Sequence, residues 1–156
     1  MEKGCTGLVE TKDVFMKQAQ GMLRVDTLGQ GLTEITEDVD HWIQKQDVCR
    51  GLITIYIRHT SASLVVQENA DPLVVQDLEE YFKKIVPEDL TLYNHTAEGP
   101  DDMPAHIKGA LTETSLSIPI SNNNMLLGTW QGIFVFEHRV QPHVREIVLH
   151  ISGVSD

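Results

Sequence analysis

Between Asn94 and Lys108 the chain reads Asn94-His95-Thr96-Ala97-Glu98-Gly99-Pro100-Asp101-Asp102-Met103-Pro104-Ala105-His106-Ile107-Lys108. Two imidazoles and three carboxylates fall in a stretch that Gly99, Pro100 and Pro104 shape into a loop leading into a helix. Loops held between regular elements are where binding and catalytic groups gather. Neutral imidazole and carboxylate are also donors that suit borderline divalent cations such as zinc. With Asp102 as helix cap, His106 lies in the first or second turn, near the loop that carries Glu98. A divalent ion there would offset the repulsion of Glu98, Asp101 and Asp102. Without one, Asp102 is a cap and the other two acids favour the positive end of the helix. The pattern is not a standard zinc signature, so spacing alone leaves both readings open.

A second constellation, Arg58-His59-Thr60-Ser61-Ala62-Ser63, sets hydroxyls beside an imidazole. It has no Gly-x-Ser-x-Gly elbow, so Thr60, Ser61 and Ser63 suit hydrogen bonds to an anion better than nucleophilic attack. No phosphate-cradling glycine loop occurs either. A phosphate group would need hydroxyls, backbone amides, a metal, or Arg58, Lys108 and Arg139. His59 ends an apolar strand face, where a structural role is the default. His41, His143 and His150 have no obvious partner in sequence and read as structural or exposed. Glu68-Asn69 ends a strand or supports a site. Trp130 in the turn Gly128-Thr129-Trp130-Gln131-Gly132 fills core or forms a substrate wall. Glu137-His138-Arg139 places alternate side chains on opposite strand faces.

The elements that must position these groups follow from periodicity. Val14, Phe15, Leu23 and Val25 around Gly21 predict two early strands with a turn, within Thr11 to Thr27. Thr36 is a plausible N-cap for a helix reaching about Gln46, with Val39, Trp42 and Ile43 at helical spacing. Leu52 to His59 alternates as a strand, with Ile53, Ile55 and Ile57 on one face, and Ala62 to Gln67 continues as β. Asp71-Pro72 starts a helix whose stripe of Val74, Val75, Leu78, Tyr81, Phe82 and Ile85 predicts core contact. A shorter helix from Asp102 is expected to turn Met103, Ile107, Ala110 and Leu111 inward. Ser115 to Ile120 and Met125 to Leu127 flank a turn at Ser121-Asn122-Asn123-Asn124, and Ile133 to His138 and Glu146 to Ile151 are the last strands. Strands and helices mix without βαβ alternation, which predicts an α+β fold.

The chain has 156 residues, 41% hydrophobic and 22% charged, and is expected to form one domain over 1–156. Twenty-three acidic against twelve basic side chains give a formal charge of -11. That disfavours nucleic-acid binding, which needs clustered Lys and Arg. No apolar run reaches membrane-span length, and the first ten residues lack a secretory core, so a soluble cytoplasmic protein is expected. Cys5 and Cys49 then read as reduced thiols.

Taken together, His59-Thr60-Ser61-Ala62-Ser63-Leu64, Glu68-Asn69-Ala70-Asp71-Pro72, His95 through Lys108, Gly128-Thr129-Trp130-Gln131-Gly132-Ile133 and Glu137-His138-Arg139 resemble the YjbQ-like family. The resemblance spans about 52–153. It implies an α+β fold of mixed or antiparallel sheets with a few helices, the sheets packing orthogonally around the threefold axis of a homotrimer. It further implies one polar pocket in which His59, His95 and His106 hold a divalent metal, zinc or magnesium. His59, Glu98 and His106 are then the catalytic candidates, and Arg58, Thr60, Ser61, Ser63, Asn69, Trp130, Gln131 and Arg139 the substrate contacts. The activity implied is thiamine-phosphate synthase, joining hydroxymethylpyrimidine diphosphate to thiazole phosphate as a side activity. The alternative is a non-enzymatic trimer that binds a metal or small ligand.

Overall fold

The computed structural model describes residues 16–155. In chain order the elements are β1 Met16–Thr27, β2 Gly31–Glu34, α1 Thr36–Ile43, β3 Arg50–Ile57, β4 Ala62–Glu68 and α2 Pro72–Ile85. A 3-10 turn at Leu90–Leu92 and α3 Asp102–Leu111 precede β5 Ser115–Ser121, β6 Asn124–Met125, β7 Gln131–Glu137 and β8 His143–Val154. The strands form a five-stranded sheet ordered β1-β8-β3-β5-β6 and a three-stranded sheet ordered β2-β7-β4. Every pairing is antiparallel. The fold is α+β, as the mixed pattern predicts.

The core lies between the two sheets, because strand alternation sends every second apolar side chain to one face. Ile53, Ile55 and Ile57 of β3 and Ile147, Leu149 and Ile151 of β8 meet Ala62, Leu64, Ile133 and Val135 of the smaller sheet. Val39 and Ile43 of α1 complete this core. Arg145 continues the buried β8 series where an aliphatic residue is expected. It is matched by Glu137, buried on the facing end of β7: Arg145 Nε donates to Glu137 Oε2 at 2.6 Å. Burial works against the Glu137 charge, yet the Arg145 guanidinium and the Arg139 N–H hold its pKa below the usual carboxyl range.

The outer face of the smaller sheet carries α2 and α3. Phe82 of α2 packs edge-on against Phe136, with centroids 5.2 Å apart. No α2 residue is buried, however; Tyr81 and Ile85 of the expected core stripe are exposed. The helix covers a three-stranded edge that is too narrow to bury its whole stripe. Its start matches expectation, with Asp71 Oδ1 accepting from Leu73 N at 2.9 Å.

For α3 the expected inward face is the wrong one. Asp102, Pro104, Ala105 and Lys108 are buried, while Leu111 is exposed. Polar anchors turn the helix. Thr112 Oγ1 lies 2.7 Å from the Lys108 carbonyl, which can only accept, so the Thr112 proton goes there. Ser63 Oγ, 2.6 Å from Thr112 Oγ1, must therefore donate to it and accept from His138 Nε2 at 2.8 Å. With Ser63 accepting, His138 carries its proton on Nε2, and Nδ1 has no hydrogen-bond partner among the described residues. Gly109 allows α3 to close on β4: a Cβ there would stand 3.1 Å from the Thr60 carbonyl oxygen.

Other boundaries shift for local reasons. One long strand from Met16, paired throughout with β8, replaces the two expected early strands, since Gly21 leaves room for the Trp42 ring rather than turning the chain. The expected residues 11–15 lie outside the described residues. Thr36 is the first residue of α1 and not its cap; its hydroxyl donates to Glu34 Oε1 and accepts from Ile133 N. Asn122 and Asn123 take positive φ in the β5–β6 turn, as their residue type favours.

Burial, and secondarily Lys108, push the His138 pKa down from 6.5 to about 3. The unfolded chain binds this proton between those values and the folded chain does not. Stability from this group is complete above pH 6.5 and falls as pH drops through the window. Between pH 7.5 and 5 the expected loss is about 2 kcal/mol, from the 1.4 kcal/mol per pH unit of one proton. Urea titrations of wild type and His138→Phe at both pH values check this. An undiminished pH dependence in His138→Phe would remove His138 as the cause.

Candidate functional site

The end of the loop between α2 and α3 is tied down by the guanidinium of Arg139, just beyond β7. Its Nε donates to Asp101 Oδ2 at 3.0 Å, its Nη1 to Asp102 Oδ1, and its Nη2 to the Glu98 carbonyl at 2.9 Å. Val140 N also donates to Asp101 Oδ2 at 2.9 Å. Burial works against the Asp101 charge, but the Val140 N–H and Arg139 outweigh it and hold the carboxyl below its usual range. Both acids are thus Arg139 acceptors. Asp101, not Asp102, takes the cap position, and it makes no side-chain cap hydrogen bond.

With one Asp102 oxygen on Arg139, the other faces the two loop and helix imidazoles. His95 Nε2 lies 2.8 Å and His106 Nε2 3.5 Å from Asp102 Oδ2. One ligand atom from each of His95, Asp102 and His106 falls within 4.8 Å of the others. Asp102 is buried, whereas His95 and His106 are partly open to solvent. The donors match a catalytic zinc set of three protein ligands with an open position. The Arg139 bond to the second carboxylate oxygen is the outer-shell support such ligands need. Around an ion the His95–Asp102 hydrogen bond, now 2.8 Å, would have to open to admit it.

His59 is not in that group. Its Nε2 accepts from the Glu146 backbone N–H at 2.8 Å, and Nδ1 faces Arg145 Nη1 at 3.3 Å. Burial first, then Arg145, lowers its pKa. His59 and His106 do share one cleft of about 540 Å³, whose walls include Tyr56, Arg58, Thr60 and Gly109. Thr60 is exposed there, and Arg58 pairs with Glu146 Oε2 at 3.3 Å. Ser61 Oγ accepts from Arg145 Nη2 at 3.1 Å. Ser63 is fully buried in the His138–Thr112 chain, and Glu98 is exposed.

Asn69, Trp130 and Gln131 lie elsewhere. Glu68 pairs with Gln131 at one end of the β4–β7 ladder, while Ala62 pairs with Glu137 at the other. Six residues at ~3.3 Å each separate the two ends by about 20 Å. Asn69 Nδ2 donates to Glu34 Oε1 at 2.9 Å, Gln131 Oε1 accepts from Gly128 N at 2.7 Å, and Trp130 is 63% exposed. Sequence reasoning missed the shared role of Asp102, which reads as a cap from spacing alone, and the Glu137–Arg145 pair. The available signal for the latter was an arginine in line with Ile147, Leu149 and Ile151. Cys49 is buried, and Cys5 lies outside the described residues.

Comparison with known proteins places this geometry in a lineage. The family model for the UPF0047 protein YjbQ-like family matches residues 22–154. A UPF0047 protein of Synechocystis sp. is 50% identical over 137 residues, 88% of this chain and 93% of that protein. The UPF0047 protein YjbQ of Escherichia coli O157:H7 is 38% identical over 137 residues, 86% and 97% of the two chains. A conserved hypothetical protein of Thermus thermophilus superposes with a TM-score of 0.73 at 33% identity, covering 82% and 97%. A YbjQ-like protein of unknown function from Sulfolobus solfataricus reaches 0.82 at 24% identity, covering 89% and 99%, a likeness of fold. The family match runs from β1 through β8 and takes in the Asp102 cluster, the His59–His106 cleft and the Arg139 clamp, so the chain belongs to the UPF0047 YjbQ-like family.

Proposed function

We propose that the protein is a metal-assisted enzyme acting on a small phosphorylated substrate, with His95, Asp102 and His106 as the ligands of a divalent ion, zinc in preference to magnesium. The observation that carries this is the buried Asp102 oxygen facing two imidazoles while its twin is held by Arg139. Nitrogen donors favour zinc, since magnesium prefers an all-oxygen set. The bound ion would supply positive charge for a leaving phosphate or diphosphate.

The cleft between His59 and His106 is the substrate space. Arg58 is its cation and Thr60 its hydroxyl, because Arg139 is committed to the two aspartates and Lys108 is buried. Glu98, on the clamped loop, is the group assigned to proton transfer, because His106 is taken up as a ligand of the ion. Thiamine-phosphate formation is one reaction this arrangement would serve. The protein works as a homotrimer in this proposal, its sheets packing orthogonally about the threefold axis. The outer face of the larger sheet, where Met22, Leu52, Tyr56 and Val144 are exposed, supports burial between subunits.

Elemental analysis of protein purified without added metal should find about one zinc per chain, and none in His106→Ala or Asp102→Asn with the fold retained by circular dichroism. Metal-free wild type sinks the ligand assignment. Bound metal without turnover of any phosphorylated metabolite tested, hydroxymethylpyrimidine diphosphate with thiazole phosphate included, favours the non-enzymatic binding module. Arg139→Gln should weaken metal affinity by about 10- to 100-fold, the usual effect of losing an outer-shell partner. Competition with a chelating dye measures it, and an unchanged affinity refutes the clamp. Light scattering at micromolar concentration tests the trimer.

A further inference from the structure

His59 meets two donors with one lone pair. The Glu146 N–H, whose direction is fixed by the backbone, points at Nε2 from 2.8 Å, so that nitrogen is the acceptor. A neutral imidazole has a single lone-pair nitrogen, which places the ring proton on Nδ1. Burial first, and the neighbouring Arg145 charge second, favour this neutral form. Nδ1–H then faces another donor, Arg145 Nη1, at 3.3 Å. The opposite tautomer would set two protons against each other across the shorter contact with Glu146 N, which is the costlier arrangement.

Arg145 offers no way out of this conflict. It is 3% exposed; its Nε is taken by Glu137 and its Nη2 by Glu137 and Ser61. Among the described residues Nη1 reaches only His59 Nδ1, which has no lone pair to give. Two adjacent donors therefore lack an acceptor. One belongs to a buried cation, the other to a partly exposed ring that lines the cleft of about 540 Å³. The nearby carboxylates do not fill the gap. Glu137 is held by Arg145 itself, and Glu146 lies between Arg24 Nη2 at 3.4 Å and Arg58 Nη1 at 3.3 Å. Donors this close can both reach one oxygen at about 2.8–3.0 Å, as paired donors do around an oxyanion.

We propose that His59 Nδ1–H and Arg145 Nη1–H form a two-donor seat for one oxygen of an anionic ligand in the cleft, the phosphate group of its substrate. This rests on the cleft being the substrate space and adds to Arg58 and Thr60 the groups that orient the phosphate. An oxygen bound there turns a donor-against-donor contact into two hydrogen bonds. His59 acts as a neutral donor, no proton moves, and the seat needs no ion at the Asp102 cluster.

Inorganic phosphate is the probe, added at constant ionic strength near pH 7.5 to the 15N-labelled full chain after treatment with a chelator. Nitrogen–proton correlation spectra of the imidazoles should show His59 protonated on Nδ1, and that resonance should shift along a saturable curve as phosphate is added. His59→Gln keeps an acceptor for the Glu146 N–H but loses the Nδ1 donor. It should weaken phosphate binding by about 10- to 100-fold, the range for one hydrogen bond to a charged group. His59→Asn, which keeps a donor near the Nδ1 position, should weaken it less. The proposal is overturned by a proton on Nε2, by a shift that chloride reproduces at the same ionic strength, or by His59→Gln binding phosphate no worse than His59→Asn. Phosphate that moves the Thr60 amide but not the His59 ring overturns the seat and leaves the cleft as the substrate space. Phosphate that moves neither overturns both.

Discussion

The buried pair of Glu137 and Arg145 is the interaction around which the polar end of this molecule is arranged. It joins the last residue of β7 in the smaller sheet to the start of β8 in the larger one, at the edge of an otherwise aliphatic core. Removing either partner would leave a charge stranded among isoleucines, a loss of about 3–5 kcal/mol for pairs of this kind. The guanidinium also reaches Ser61 and His59, and the second Glu137 oxygen accepts from the Arg139 N–H. The turn after β7 and the turn after β3 are thereby fixed to each other.

From that anchor, three successive residues serve three regions. Glu137 points into the inter-sheet core. His138 points to the outer face, where it holds Ser63, Thr112 and so the C-terminal end of α3. Arg139, beyond the strand, holds Asp101, Asp102 and the Glu98 carbonyl at the N-terminal end of the same helix. α3 is pinned at both ends by His138 and Arg139, neighbours in sequence just beyond β7. That is why its buried face is polar, and why His106 is held partly open above the cleft instead of turning into a hydrophobic seam.

The arrangement also explains how His106, forty-seven residues beyond His59, comes to share its cleft. His59 substitutes an imidazole nitrogen for the strand partner that the Glu146 N–H lacks at the end of β3, so the ladder ends without an orphaned donor. Gly109 lets the helix come down onto the Thr60 carbonyl beside it. One wall of the cleft is therefore made by ending a strand, and the other by a helix allowed to approach closely.

Much of this could be read from the chain itself. Alternation gave β3 its core face, Asp71-Pro72 marked the start of α2, and the Asn run marked the β5–β6 turn, because each depends on neighbours a few residues apart. The concentration of imidazole and carboxylate from His95 to His106 was equally visible. What the sequence could not decide was which groups meet. The choice of Asp102 over His59 as the third member of the cluster, the rotation of α3, and the distance of Trp130 from His106 all follow from Arg139, Arg145 and His138. Those residues act on partners dozens of positions away, and only the pairing of β4, β7 and β8 brings them within hydrogen-bonding range.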